Sequence, residues 1–444
     1  MQNPEQLLSR KHINKIAIPS IFAGIAEPFL SLTDLAIIGQ VKLNSVEVLA
    51  AVGVVGSFIS AVIWILAQAK TAISTTVAQY SQPDKVKDAK IIFPQLLFIN
   101  ILVCVIILAF SLPFARQLFE IYSVNGLTLD YAVEYYQIRA YGIPITLLTF
   151  SIFGVYRGLQ NTIWAMYISI AGGLLNVILD FALIHGIDGF IDPMHVQGAA
   201  YASIISQVFM FLAAVWVLYT KTHFRIKVSF PFHPKIKELL IFSINLFIRT
   251  LILNLVIYLT NKFAAQDGNV SLATHTILIN IWLFTCFFID GYSNAANAIS
   301  GKLVALNAVD KIKPFWHIIF KYSMLLSTIT AAIIFMFNHE IATLFTTDIE
   351  VIETFKNMSI FLVVLQFLNG FTFSLDGLGK GLGNGKQLRN SLLFSTLFGF
   401  VPLLYILYPL NLHLSAIWLP FILWMFLRGV ILYYSLIVKQ PYIK

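Results

Sequence analysis

Charge is scarce in this chain. Asp, Glu, Lys and Arg make up 11 % of its 444 residues, hydrophobic residues 58 %, and mean hydropathy is +0.82. A soluble domain carries about 25 % charged residues. So few charges cannot cover a water-exposed surface, and lipid must be the main solvent. Cysteine is nearly absent as well. Cys104 and Cys286 both sit in apolar stretches without metal-ligand spacing, which argues against a disulfide framework and leaves them as small core residues. There is no Walker loop, so ATP is not the direct energy source, and no soluble-enzyme signature is visible. His185 and His195 flank a loop without metal spacing and read as solvent-exposed.

What is abundant is apolar sequence in lengths that match a bilayer. Segments of about 20 apolar residues follow one another along the chain. They predict twelve spans, near 13–39, 46–72, 89–112, 131–156, 163–185, 197–219, 238–262, 272–299, 315–337, 352–377, 390–410 and 414–437. The first is too long, and too interrupted by Glu27 and Asp34, to read as a cleaved signal peptide. The net charge of +8 does not point to nucleic acid, because the basic residues lie in short loops rather than in one patch. Alternate loops hold most of the 29 basic residues. The positive-inside rule then puts both termini in the cytoplasm, which requires an even number of spans. The expected location is the plasma (inner) membrane.

The most hydrophilic internal stretch, KTHFRIKVSFPFHPKIKE, starts at Lys221 and falls almost at the midpoint. We read a first lobe over 1–220, an inter-lobe linker over 221–237 and a second lobe over 238–444. The linker is either a piece lying on the membrane surface or a solvated basic loop. The halves resemble each other. Arg157-Gly158-Leu159-Gln160-Asn161 corresponds to Lys380-Gly381-Leu382-Gly383-Asn384, and Ala78-Gln79 corresponds to Gly301-Lys302 at the same offset. Two matches at one offset, in equivalent loops, indicate an internal repeat. With six spans per half, both halves run in the same direction. The predicted fold is therefore an all-α polytopic membrane protein, twelve helices in two six-helix lobes related by a parallel pseudo-two-fold axis, which is a transporter architecture.

Two carboxylates fall inside apolar spans: Asp34 in the first and Asp180 in the fifth. A charge at that depth costs about 3 kcal/mol on insertion scales, so such groups mark proton or cation sites. The alternative is a satisfied polar group bonded to a neighbouring helix. Asn176 stands four residues before Asp180, on the same helix face. Glu27 precedes Asp34 by seven residues and faces roughly the same way, as a relay, a third ligand or an acid bonded within the bundle. Pro19 and Pro28 each remove a backbone donor from the first span and permit a bend, although membrane helices also tolerate ordinary prolines. Lys70, Arg249, Asp290, Asp376 and Arg428 lie at or near membrane depth; Lys70, Asp290 and Asp376 are expected close to span ends, where long side chains snorkel. Arg249, the deepest cation of the second half, is expected to pair with an acid or with helix carbonyls, in a structural or a gating role.

These patterns resemble a known family. Pro19…Glu27-Pro28…Thr33-Asp34…Ile38-Gly39 looks like the opening of MATE (multidrug and toxic compound extrusion) transporters. So do Leu175-Asn176-Val177-Ile178-Leu179-Asp180 and the stretch Gly198 to Gln207. Arg157-Gly158-Leu159-Gln160-Asn161 is similar to the family's RG-x-G-D-T loop, with Gln160 and Asn161 as departures. Phe247 to Leu251, Ile289-Asp290-Gly291, Leu375-Asp376-Gly377 and Leu388-Arg389-Asn390 look like the DinF-type branch. The seventh-span acid of the NorM branch is missing, and Arg249 is the ionisable group there.

The resemblance implies secondary active efflux of a small amphipathic or aromatic cation, driven by H⁺ or Na⁺ antiport, with no enzymatic activity and no bound cofactor. It implies a polar pocket in the first lobe where Asp34 and Asp180 meet, with Asn176 and Ser203 adding amide and hydroxyl oxygens. Na⁺ accepts such hard ligands. A proton needs only the carboxylates, which burial and neighbouring like charge help to keep protonated. The branch favours H⁺. Pro19 stands where the family has a proline linked to bending of the first helix. Stacking and cation–π contact from the 38 Phe, 18 Tyr and 7 Trp would suit a cationic substrate, though aromatics also fill helix interfaces. A monomer is expected. The competing readings are a lipid-linked oligosaccharide flippase of the same superfamily, with Arg249 and Arg428 as contributors to a pyrophosphate site, and a membrane-embedded enzyme. The latter lacks a His convincingly placed in the middle of a span.

Overall fold

The computed structural model describes residues 4–38, 45–122, 124–187, 190 and 192–439; the side chains of residues 26–32, 34–36, 45 and 46 also lie outside the described set. The chain is helical throughout its spans. Ten described helices are long and apolar enough to cross a membrane, and a bent pair, Gly126–Arg139 with Gly142–Gly158, makes an eleventh. Helix Arg10–Ile38, 29 residues long, occupies the expected first span.

The bent pair departs from the single span expected over 131–156. Its two helices meet at 45°. Pro144 sits in the first turn of the second helix, so its ring would strike the Ala140 carbonyl in a continuous helix. The helix breaks there. A side chain at Gly142 would also collide with Gln207, which accepts a hydrogen bond from Arg139 at 3.2 Å.

The residues group into two compact units. One comprises Phe22–Lys237, the other Met1–Ile21 with Glu238–Lys444. The expected first lobe, 1–220, thus keeps 22–220 together. The 221–237 segment groups with it, whereas Met1–Ile21 groups with the second half. The division cuts helix Arg10–Ile38 two residues after Pro19. Gly291 explains how the start of that helix docks. A Cβ there would lie 2.9 Å from the Ala17 carbonyl, so only glycine permits the approach. One residue on, the Tyr292 hydroxyl donates to Asn14 at 3.2 Å.

Each unit has its own apolar core. Val55, Phe119, Tyr136 and Leu147 anchor the first; Trp282, Phe355, Trp418, Phe421 and Trp424 anchor the second. Large apolar side chains also stand exposed along the helices, among them Leu102, Val105, Leu212, Trp216 and Ile329. Lipid is the solvent that accepts them.

The repeat extends from the loops into the packing. Gly154 and Gly158 let helix Gly142–Gly158 close onto helix Gln68–Gln79, where added Cβ atoms would lie 2.6 Å from the Lys70 carbonyl oxygen and 2.7 Å from that of Ser74. At the equivalent positions of the second half, Gly377 and Gly381 let helix Ile349–Gly381 close onto Ser293 and Asn297 of helix Asn269–Ala305. Small residues four apart are how membrane helices approach without an apolar driving force. Both closing helices end alike. Gln160 and Gly383 adopt positive φ, 60° and 78°. Asn161 and Asn384 donate their backbone N–H to Tyr156 and Gly379, each at 2.9 Å.

Candidate ion-coupling site

In the first unit, helix Ile163–Ile184 runs antiparallel to His195–Lys221. Gly198 sits on the Leu183 carbonyl and Gly172 on the Met210 side chain, which fixes the register. Asn176 and Asp180 are one turn apart on the buried face, and the Asn176 amide donates to the Asp180 carboxylate at 3.2 Å. Asp180 is fully buried and Asn176 nearly so. The register brings Ser203 of the facing helix, also buried, to the same level. The structure therefore gathers three of the expected residues into one stratum of the bundle. Glu27, Pro28 and Asp34 fall on helix Arg10–Ile38, but their side chains lie outside the described residues. Pro19 is buried in the part of that helix that packs with the second half.

The second unit holds a charged cluster of different design. Asp376 accepts one hydrogen bond from Arg249 at 2.6 Å and another from Arg428, both on the same carboxylate oxygen. Three helices meet there: Ile236–Gln266, Ile349–Gly381 and Ser415–Tyr433. Arg249 thus pairs with an acid, as expected. Asp376, however, does not snorkel at a span end; it is fully buried, and Arg428 is 1 % exposed. The two guanidinium groups hold the carboxylate inside the bundle. Asp290 is likewise inside its span. It lies close to the middle of the 37-residue helix Asn269–Ala305 and accepts from Asn294 at 3.1 Å.

Sequence reasoning missed the polar line beside this cluster. Gln366 bonds Thr285 and Thr330 at 3.0 and 3.3 Å, and Asn369 accepts from Trp282 at 3.3 Å. Gln366, Asn369 and Asp376 share one stripe of helix Ile349–Gly381, and that spacing was the available signal. His275, in the first third of its span, is buried edge-on to Trp418 at 5.6 Å, and no sequence pattern marked it. Lys70 lies 4.8 Å from the centre of the Phe150 ring, a cation–π contact within the first unit.

Repeated glycine-mediated helix crossings, spans of bilayer length and an acid buried within an apolar bundle define a polytopic membrane transporter. The sequence matches the MatE family twice, over residues 19–182 and 244–406. The chain belongs to that family, whose members are multi-pass membrane transporters of small molecules rather than enzymes. It is 24 % identical over 431 residues to the DNA damage-inducible protein F of Escherichia coli (strain K12), covering 95 % of this chain and 91 % of that one. It is 24 % identical over 386 residues to the probable multidrug resistance protein NorM of Thermotoga maritima, covering 84 % and 80 %. Its fold matches a solved outward-facing multidrug resistance MATE transporter of the MOP superfamily with a TM-score of 0.85. Identity there is 21 %, and 99 % and 98 % of the two chains are covered.

Proposed function

We propose that this protein exports small amphipathic or aromatic organic cations by antiport with H⁺ or Na⁺. Coupling runs through Asp180 acting with Asp34. The observation that carries this reading is a fully buried Asp180, bonded to Asn176 at 3.2 Å, in a helix with no other charged residue. A carboxylate shielded from bulk water is a group that can bind and release a cation as the pocket opens to one side and then the other. Asn176, with its amide N–H turned to Asp180, orients the carboxylate in the pocket. Ser203 at the same level offers a hard oxygen if the ion is Na⁺. Ion binding changes the bonds that hold helix Arg10–Ile38, a bend at Pro19 alters the pocket, and the substrate is expelled outward. One elementary charge moving down about 100 mV supplies roughly 2.3 kcal/mol, enough to drive a cation uphill. The relatives named for multidrug export and resistance support the substrate class. We further propose a monomer in the plasma membrane with cytoplasmic termini.

The test is uptake of a fluorescent cation into proteoliposomes under an imposed pH gradient and, separately, a Na⁺ gradient. Asp34→Asn and Asp180→Asn are expected to abolish gradient-driven flux while membrane insertion persists. Full flux in both variants refutes the assignment of the site, and the gradient that drives the unsubstituted chain identifies the ion.

A further inference from the structure

Residues 222–235 form no helix, yet a side chain holds them against the first unit. Gln95, fully buried on helix Val86–Ser111, donates from Nε2 to the Ser229 carbonyl at 2.7 Å and to that of Pro231 at 3.3 Å. Its Oε1 accepts from the His233 N–H at 2.9 Å. One carboxamide thus satisfies three backbone groups within a single short stretch. Upstream, Phe224 is buried edge-on against Phe93 at 6.1 Å.

The position of this anchor is informative. Gln95 lies five residues beyond Lys90, about 7.5 Å further along the helix at 1.5 Å per residue. The helix is already apolar there. Irregular backbone at such a depth needs partners for its polar groups, since water does not supply them. Gln95 supplies them. Phe230 meets Phe98 edge-on at 6.2 Å and Phe232 at 5.2 Å. Phe230 is nevertheless 68 % exposed and Phe232 42 %. Lys85, Lys87 and Lys227, all exposed, lie on the segment or at the foot of the helix that holds it. Asp88, on that helix, lies 3.7 Å from the Nε2 of His233.

We propose that residues 224–233 are a membrane-interface strap that binds anionic lipid headgroups. Phe230 and Phe232 seat in the boundary between headgroups and acyl chains, and the lysines take the lipid phosphates. Phenylalanines on interfacial segments bury at the boundary between headgroups and acyl chains, and a solvated loop would not present two of them to water beside a built backbone clamp. Exposed lysines attract an anionic leaflet by about 1 kcal/mol each, close to a fivefold change in affinity.

The experiment uses the full chain in nanodiscs, with an environment-sensitive dye at position 230 (F230C, with C104A and C286A). Phosphatidylglycerol is titrated into phosphatidylcholine. The dye is expected to enter an apolar environment as phosphatidylglycerol rises, and K87Q/K227Q to raise the amount needed by about 25-fold. Gln95→Leu is expected to return the dye to water. A dye in water at every composition overturns the strap. Immersion independent of phosphatidylglycerol, or unchanged by K87Q/K227Q, overturns the recognition of anionic lipid.

Discussion

Arg249 and Asp376 are 127 residues apart in the chain and 2.6 Å apart in the fold. Arg428 shares the same carboxylate oxygen, so one buried acid serves two buried cations. Removing Asp376 leaves both without their counter-charge, and breaking a buried pair costs about 3–5 kcal/mol. Removing Arg249 leaves a neutral Arg428–Asp376 pair. Asp376→Asn should therefore be markedly less thermostable in detergent than Arg249→Met, measured by heating followed by size-exclusion chromatography. Equal loss in the two variants would show that the cluster is not organised around the acid.

The glycine contacts give a paired prediction. Gly377→Ala drives a methyl group into the Ser293 backbone and Gly154→Ala does so at the Lys70 carbonyl, whereas an added Cβ at Gly53 meets nothing within 4 Å. Overpacking typically costs about 1–3 kcal/mol. Gly53→Ala relieves a flexible helix position and should be neutral or stabilising by about 0.5–1 kcal/mol. Thermal midpoints of the three variants check the ranking, and loss at only one of Gly154 and Gly377 would break the structural equivalence of the halves.

Gln160 and Gly383 occupy the same left-handed position after their helices, yet only one is glycine. A non-glycine residue there is strained by about 1–2 kcal/mol. Gly383→Ala is expected to lower the thermal midpoint. Gln160→Gly should raise it, unless the buried Gln160 side chain contributes more than the strain it imposes. A lowered midpoint for Gln160→Gly decides in favour of the side chain.

Much of the fold was legible because lipid imposes simple rules. Bilayer length set the spans, and the constant offset between matching loops marked the repeat. The glycines at 154, 158, 377 and 381 carried the packing, although their small-xxx-small spacing went unread. In the candidate site, Asn176 and Asp180 were legible because a four-residue spacing on a helix settles their proximity. Arg428 was not assigned as a partner of Asp376, because a contact between distant parts of the chain depends on which helices pack together. Gln95 was invisible for the same reason. A glutamine in an apolar span does not announce that its partners are the backbone of a loop 134 to 138 residues away.

The Asn176–Asp180 bond also separates structure from coupling. Asn176→Leu keeps similar bulk but takes a donor from a buried carboxylate, and hydrogen bonds to charged groups contribute about 1.5–3 kcal/mol. If Asp180 ionises in each transport cycle, that loss falls on the cycle, and flux should drop by about tenfold or more. Asn176→Ser retains a shorter donor and should fall between the two. If the bond only stabilises the fold, Asn176→Leu lowers the thermal midpoint but leaves flux per folded molecule unchanged. Measuring flux in proteoliposomes alongside thermal midpoint distinguishes the cases, and an unchanged flux would remove Asn176 from the coupling site.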